Sequence, residues 1–432
     1  MMNIQIPVTK KKRIVIIGGG FGGLALADKM CSEEFQVVLI DRHNYHQFQP
    51  LLYQVASAGL EPSSISFPFR KNFRKKMNFY FRLAEVKDLL IEEHTVVTSI
   101  GNLSYDYLVI AAGTTTNFFG NETIRKVALP MKSVEEALTL RNTLLLRFER
   151  ALDCSNPETK RSLLNVVIVG GGATGVEIAG AISEMKKYII PKDYPDLKKD
   201  ELTIYLVEGS DRLLHSMSEE ASVNVLRYLT DMGVVILLNK RVVNYESGCV
   251  LLNDGQSLPT NTLIWVSGVI AEHFNKISPE LIGHGGRLLV NEFNQLKGYQ
   301  DIFVIGDICL QNEDAYPNGH PQVAPVAIQQ GELLADNLER MLKGLPLMPF
   351  TYKDRGALAT VGRNKAVADL KKLKLHGFMA WIVWMIVHLR SILGVKNKLI
   401  VLINWVWNYI TYDQSVRFIF KSSPKGHHYN SR

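Results

Sequence analysis

"KKRIVIIGGGFGGLALADKM", residues 11–30, decides how the rest of the chain is read. An apolar run, Ile14 to Ile17, stands directly before Gly18, Gly20 and Gly23, and a helix-like pattern follows. The three glycines permit, in turn, a tight turn, close backbone approach to a pyrophosphate, and close packing of the helix on the strand. Phe21 and Gly22 open the helix, whose N-terminus then faces the phosphate charge. A second apolar run, "FQVVLID" (35–41), ends in Asp41, where a carboxylate can bind a ribose hydroxyl, and Arg42 follows it.

The pattern recurs. "LLNVVIVGGGATGVEIAGAI" (163–182) sets Gly170, Gly172 and Gly175 after an apolar run, with Ala173 and Thr174 at the helix start. Glu208 ends "LTIYLVE" (202–208) where Asp41 ended its strand. The far ends repeat too, since "YDYLVIAAG" (105–113) closes the first unit with Ala112 and Gly113, and "NTLIWVSG" (261–268) closes the second at Gly268. Gly18 and Gly113 are 95 residues apart, Gly170 and Gly268 are 98, so whole domains repeat and not merely short motifs.

The fold class that follows is α/β, with two Rossmann-type dinucleotide-binding domains. Two such sites imply two cofactors, and the economical pairing is a flavin held in the first and a nicotinamide visiting the second. "GYQDIFVIGDIC" (298–309) reads as a strand that returns to the first sheet and brings Gly306 and Asp307 to the flavin's ribityl chain. The expected boundaries are 11–120 and 276–348 for the flavin domain, 121–275 for the inserted nicotinamide domain, and 349–432 for a C-terminal region. Glu208 favours NADH, because a carboxylate binds the 2′-hydroxyl and repels a 2′-phosphate; Arg212 nearby works against this.

The chain has 432 residues and a formal charge of +7, which raises the question of nucleic acid. The charge is local. Lys371 to Arg432 carry ten Lys or Arg against one acid, Asp413, leaving about −2 for the rest. The basic character therefore belongs to the apolar tail, and no nucleic-acid partner is expected. Cys31, Cys154, Cys249 and Cys309 stand far apart, so neither a redox pair nor a metal site is proposed, and the N-terminus lacks the apolar run of an export signal. In the tail, the apolar runs 377–389 and 399–410 fall short of the roughly 20 residues a span needs. An amphipathic helical hairpin lying on an anionic bilayer surface is expected, with a buried helix pair as the alternative.

"FQPLLYQVA" (48–56), "GGGATGVEIAG" (170–180), "VIGDIC" (304–309), "APVAIQQG" (324–331) and "YKDRGALATVGRNKAVAD" (352–369) resemble the type II NADH:quinone oxidoreductases over residues 11 to about 422. The resemblance implies one non-covalent FAD per chain, NADH as donor, a membrane quinone as acceptor and no metal. It further implies a homodimer, peripheral on the cytoplasmic face of the inner membrane. Related disulfide and sulfide:quinone reductases use cysteines at the flavin that this chain does not offer. The family's Ala-Gln-x-Ala-x-Gln-Gln-Gly motif is matched by Ala324, Ala327, Gln329, Gln330 and Gly331, while Pro325 replaces its first glutamine. Ala327 is assigned to the flavin side. Pro325, Gln329, Gly331 and Lys365 are assigned to the quinone side, with Gln329 as hydrogen-bond donor and Gln330 facing elsewhere. Glu177 either serves its own helix N-terminus or, as the resemblance implies, borders the nicotinamide or the flavin and takes part in proton or quinone chemistry; it is carried as catalytic, with Gln329. The alternatives are a soluble reductase serving a small iron-sulfur protein and an NADH-sensing scaffold.

Overall fold

The computed structural model describes residues 3–30, 33–413 and 416–420; Cys31 and the basic residues from Lys421 onward lie outside the described residues. The chain forms two compact units. The first comprises Met1–Gln47, Ser66–Asn117 and Val269–Arg355; the second comprises Phe48–Ile65, Phe118–Gly268 and Gly356–Arg432.

In the first unit a five-stranded parallel sheet runs in the order Ile302–Val304, Tyr107–Ile110, Lys12–Ile17, Phe35–Asp41, Phe79–Leu83. Ile14, Val15, Val37, Val38, Leu108 and Val304 are fully buried, as continuous apolar strands must be when both sheet faces are covered. The register pairs Ile17 with Ile40 and with Ile110, and Ile110 with Val304. Gly18, Asp41, Ala111 and Ile305 therefore emerge together at the carboxyl edge. The strand order reverses there, which is where open α/β sheets bind their ligands. The helix Phe21–Lys29 crosses from the first strand to the second and packs along the helix Ala324–Leu342.

The second unit repeats this plan in Leu129–Pro130, Thr262–Trp265, Val166–Val169, Ile204–Val207 and Val234–Leu237, all parallel. Val169 pairs with Val207 and with Trp265, so Gly170, Glu208 and Val266 share one edge. The helix Ala173–Glu184 continues through one π-helical turn, Met185–Ile189. It lies directly on an antiparallel sheet, Ala357–Gly362, Lys365–Leu370 and Leu373–His376. The approach is so close that a Cβ on Gly180 would sit 1.7 Å from the Val361 carbonyl oxygen. The tail helices Gly377–Ser391 and Val395–Thr411 follow.

Two expectations change. The boundaries fall after Asn117, Gly268 and Arg355, and Phe48–Ile65 leaves the first domain for the second unit. The reason is packing: the short helix Leu52–Ala56 buries Leu52, Val55 and Ala56 and packs on the helices Val134–Leu152 and Ala173–Glu184. The tail is likewise part of the second unit and not a separate region. Its helices bury Ala380, Trp384 and Val401 inward while Met379, Ile386, Ile403 and Ile410 stay exposed. Among the described residues no helix is long and apolar enough to cross a membrane.

Candidate active site

The first cradle is shaped by what its glycines permit. Gly18 has φ +97°, and a Cβ there would lie 2.4 Å from the Ala111 carbonyl oxygen; one on Gly23 would lie 1.9 Å from that of Gly18. Gly20, by contrast, faces open space and caps the helix with no side chain, leaving the first backbone N–H groups available to an anion. Asp41 braces the loop: its carboxylate accepts from Gly19 N–H at 2.6 Å and from His43 N–H at 2.7 Å. Burial nevertheless pushes its pKa up. Arg42 pairs with Glu272 at 3.3 Å.

Ala112 and Gly113 flank this edge, and the outer strand delivers Gly306 and Asp307. Gly306 N–H donates to the side-chain amide Oε1 of Gln330 at 2.7 Å, and Thr114 Oγ1 donates to the Asp307 carboxylate at 3.3 Å. Ala327 packs beneath, its Cβ 3.5 Å from where a Gly306 Cβ would be. Gly18, Gly20, Phe21, Gly22, Gly23, Asp41, Gly306, Asp307 and Ala327 thus gather in one unit, and a side-chain-free loop, a helix N-terminus and two carboxylates fit a dinucleotide. Two neighbours have no signal in the sequence. His46, buried, lies 3.0 Å from the Gly19 carbonyl oxygen and edge-on to Phe21; the Phe69 ring fills the space a Gly19 Cβ would need.

The second cradle repeats the first with one difference in exposure. A Cβ on Gly175 would stand 1.8 Å from the Gly170 carbonyl oxygen, and Gly172 is open like Gly20, while Ala173 and Thr174 are exposed where the first cradle has half-buried Phe21 and buried Gly22. Glu208 accepts from Gly171 N–H and, at 2.8 and 2.6 Å, from the N–H and hydroxyl of Ser210. Burial alone would raise its pKa, but these bonds outweigh it and hold the group below its ordinary value. Arg212 turns to His215, donating to its carbonyl oxygen at 2.9 Å. Gly268 (φ +76°) closes the edge against Phe119.

Glu177 does not serve its helix N-terminus. Its carboxyl lines a cavity of ≈ 130 Å³ walled by Tyr53, Thr360, Trp384, Trp405 and Tyr409, all within the second unit. Burial raises its pKa to about 8, against the opposing pull of Thr360 N–H, 3.5 Å away, and of the Trp384 indole. That indole N–H is itself buried without a partner at hydrogen-bond geometry. Tyr53 Oη accepts from Gln54 Nε2, and Gln54 Oε1 accepts from Trp405 Nε1, both at 2.8 Å. At the other end the Arg363 guanidinium lies 3.6 Å from the Tyr412 ring centroid and 4.7 Å from that of Tyr409. His388, stacked on Trp384, is held neutral by burial, its pKa lowered to about 4.

The other residues assigned to the quinone side have the following surroundings. Gly331 is buried in helix packing, where a Cβ would stand 2.4 Å from the Gly22 carbonyl oxygen, so it has no open face for a ligand. Gln329 donates to and accepts from the Lys353 backbone at 3.1 and 3.0 Å, pinning that segment with both ends of its amide. Pro325 opens the helix Ala324–Leu342. Lys365 is not on the cavity wall; its ammonium lies 5.8 Å from the Tyr228 ring centroid. Gln330 is buried against Gly306, as its angular separation from Gln329 requires. Among the described residues the cysteines are free, and no cluster has the make-up of a metal site.

Two glycine cradles, each at the switch point of a parallel sheet, define a two-dinucleotide oxidoreductase. The family model described as "Pyridine nucleotide-disulphide oxidoreductase" matches residues 12–331, and the "NDH2 C-terminal domain" matches residues 355–411. The type II NADH:quinone oxidoreductase Ndh of Mycobacterium tuberculosis is 31% identical over 93% of this chain and 89% of its own length. A mitochondrial internal alternative NAD(P)H-ubiquinone oxidoreductase of Solanum tuberosum is 31% identical over 92% of this chain and 86% of its own. The chain belongs to the type II NADH:quinone oxidoreductases. The fold agrees with NDH2 of Plasmodium falciparum, solved with NADH, at a TM-score of 0.88 and 22% identity over 95% of this chain and all of that one. A sulfide:quinone oxidoreductase from Aquifex aeolicus shares the fold at 0.71 and 18% identity, covering 93% and 95% of the two chains.

Proposed function

We propose that the protein oxidises NADH through one non-covalent FAD and delivers the electrons to a membrane quinone, with the quinone ring in the cavity at Glu177. Bound in the first cradle, the flavin supplies the conversion of a two-electron hydride donor to a quinone reductant. The chain's own residues bind, orient and move protons. Gly18–Gly23 and Asp307 hold the first dinucleotide, and Gly170–Gly175 and Glu208 the second, with Glu208 selecting NADH. One observation carries the quinone reading: a carboxyl whose pKa is about 8 lines an aromatic cavity, protonated at neutral pH and able to donate to a quinone oxygen. The net reaction, NADH + H⁺ + quinone → NAD⁺ + quinol, takes that proton from solution.

Attachment is peripheral in this reading. The exposed apolar faces of the tail helices support contact with lipid, and the basic tail supports an anionic, cytoplasmic leaflet. A homodimer is part of this proposal on the family resemblance alone. Steady-state NADH oxidation with decylubiquinone or ferricyanide tests the assignment. Glu177→Gln is expected to lower quinone turnover about 100-fold while ferricyanide, which takes no proton, is reduced at nearly the parent rate. The parent's quinone rate should fall as pH rises past about 8, because deprotonated Glu177 has no proton to give. Equal loss with both acceptors would remove Glu177 from the quinone step.

A further inference from the structure

The cavity has a second carboxyl. Glu184 lies seven residues after Glu177 on the same helix, so the two share a face and stand about 10 Å apart along the axis. Both line the cavity. Glu177 is buried and Glu184 only partly so. The Tyr53 hydroxyl, on the facing helix, is within electrostatic reach of both. Its oxygen already accepts from Gln54, so its own hydrogen is the one left for the cavity. The backbone also makes room for Glu184: its Oε1 accepts from Arg363 N–H at 2.6 Å, and a Cβ on Gly362 (φ +150°) would come within 2.7 Å of that oxygen.

Resting on the quinone reading above, we propose that Glu184 is the outer carboxyl of a proton relay that reprotonates Glu177 through the Tyr53 hydroxyl and water in the cavity. Glu177–H gives its proton to the quinone oxygen and becomes the anion. A proton then passes inward from Glu184–H, and Glu184 regains one from solvent; each group returns to its starting state after one quinol. The volume of ≈ 130 Å³ holds several waters, enough to bridge the carboxyls when the ring has left. Tyr53 can pass a proton without ionising, which burial strongly disfavours.

The surroundings set the direction. Burial raises the pKa of Glu184, but Arg363 N–H and the charges of Arg363, Lys365 and Lys187 pull it back. Glu177 has only the Thr360 N–H and the Trp384 indole to favour its anion. These neighbours favour the Glu184 anion, the state that group enters when it passes its proton inward. Tyr188, Tyr409 and Tyr412 complete the titratable groups on the walls. Lys365, absent from the cavity lining, acquires a role here through its charge.

The test is the quinone-to-ferricyanide rate ratio of Glu184→Gln between pH 6 and 9. Glutamine keeps the acceptor for Arg363 N–H, so the fold is retained. The ratio is expected to drop about tenfold at pH 8 and less at pH 6, where bulk acid protonates Glu177 directly, and a small weak acid such as azide should restore it. Tyr53→Phe, which keeps the ring, should give a smaller drop with the same pH trend, and Glu184→Asp a partial recovery. A uniform drop that azide does not relieve, or no drop while Glu177→Gln remains impaired, would overturn the relay and leave the quinone site standing. If neither Glu177→Gln nor Glu184→Gln changes the ratio, the cavity is not the quinone site and both readings fall.

Discussion

The two cradles are built on one plan and differ at the rim. In the first, Phe21 is half-buried and Gly22 buried, Phe69 and His46 close over Gly19, and a further Gly306-Asp307 turn, held by Gln330 and Thr114, stands beside the loop. In the second, the equivalent outer strand, Leu129–Pro130, leads into a capping box at Ser133 with no such turn, and the matching Ala173 and Thr174 are open to solvent. A fenced site suits a group that stays; an open one suits a group that must leave every turnover. The acids differ in the same sense. Asp41 has its pKa raised by burial, whereas Glu208, one methylene longer and bonded to Ser210 and Gly171, is lowered.

The most drastic way to break the comparison is Gly23→Val. Its side chain has no room above the Gly18 carbonyl oxygen, so the protein should lose the yellow colour and all NADH oxidation, read by the flavin absorbance of the purified chain. Gly175→Ala makes the same intrusion in the second cradle. It should leave the flavin bound and raise the KM for NADH about tenfold or more, and loss of flavin instead would mean that the cradles do not act separately. Glu208→Gln sharpens the distinction: the NADH-to-NADPH ratio of kcat/KM should narrow by a factor of about three to ten, the worth of one partly screened charge.

The smallest effect is on stability. Glu208, with its folded pKa lowered, contributes stability above its ordinary value of 4.5 that is lost as pH falls through the folded value. The Tm of Glu208→Gln should therefore lie below the parent at pH 7 and meet it in acid. Asp41, with its folded pKa raised above 3.8, has the opposite sign, so Asp41→Asn should gain on the parent as pH rises. Parallel curves for the two variants would mean that the rim makes no electrostatic difference.

What is legible in the chain is local and periodic. Gly18, Gly170, Asp41 and Glu208 sit at strand ends because apolar runs, glycine spacing and a terminal acid are all written within about 30 residues. What is not legible depends on packing across the sequence. Nothing in "FQPLLYQVA" marks Leu52–Ala56 as a floor for the helix Ala173–Glu184, or Tyr53 as a wall of its cavity. Glu184 carries no mark either, because its partners, Arg363 N–H and the missing side chain of Gly362, come from a strand turn about 179 residues on. Gly331 misleads for a related reason: a glycine beside two glutamines looks like part of a ligand motif until the neighbouring helix occupies its space.

The π-helical turn at Met185–Ile189 has an evolutionary consequence. Such a turn accommodates one residue more than a regular helix would, and is the usual trace of a single insertion absorbed in place. Removing Lys187, exposed at its outer side, should let the helix revert to regular winding without unfolding. The residues beyond would keep their register, whereas removing one residue from the regular part of the helix would rotate everything after it by about 100° and turn Glu184 or Tyr188 off the cavity wall. Lineages of this chain should thus accept a change of one residue within these five sooner than anywhere else along this helix, where register and wall are the same thing.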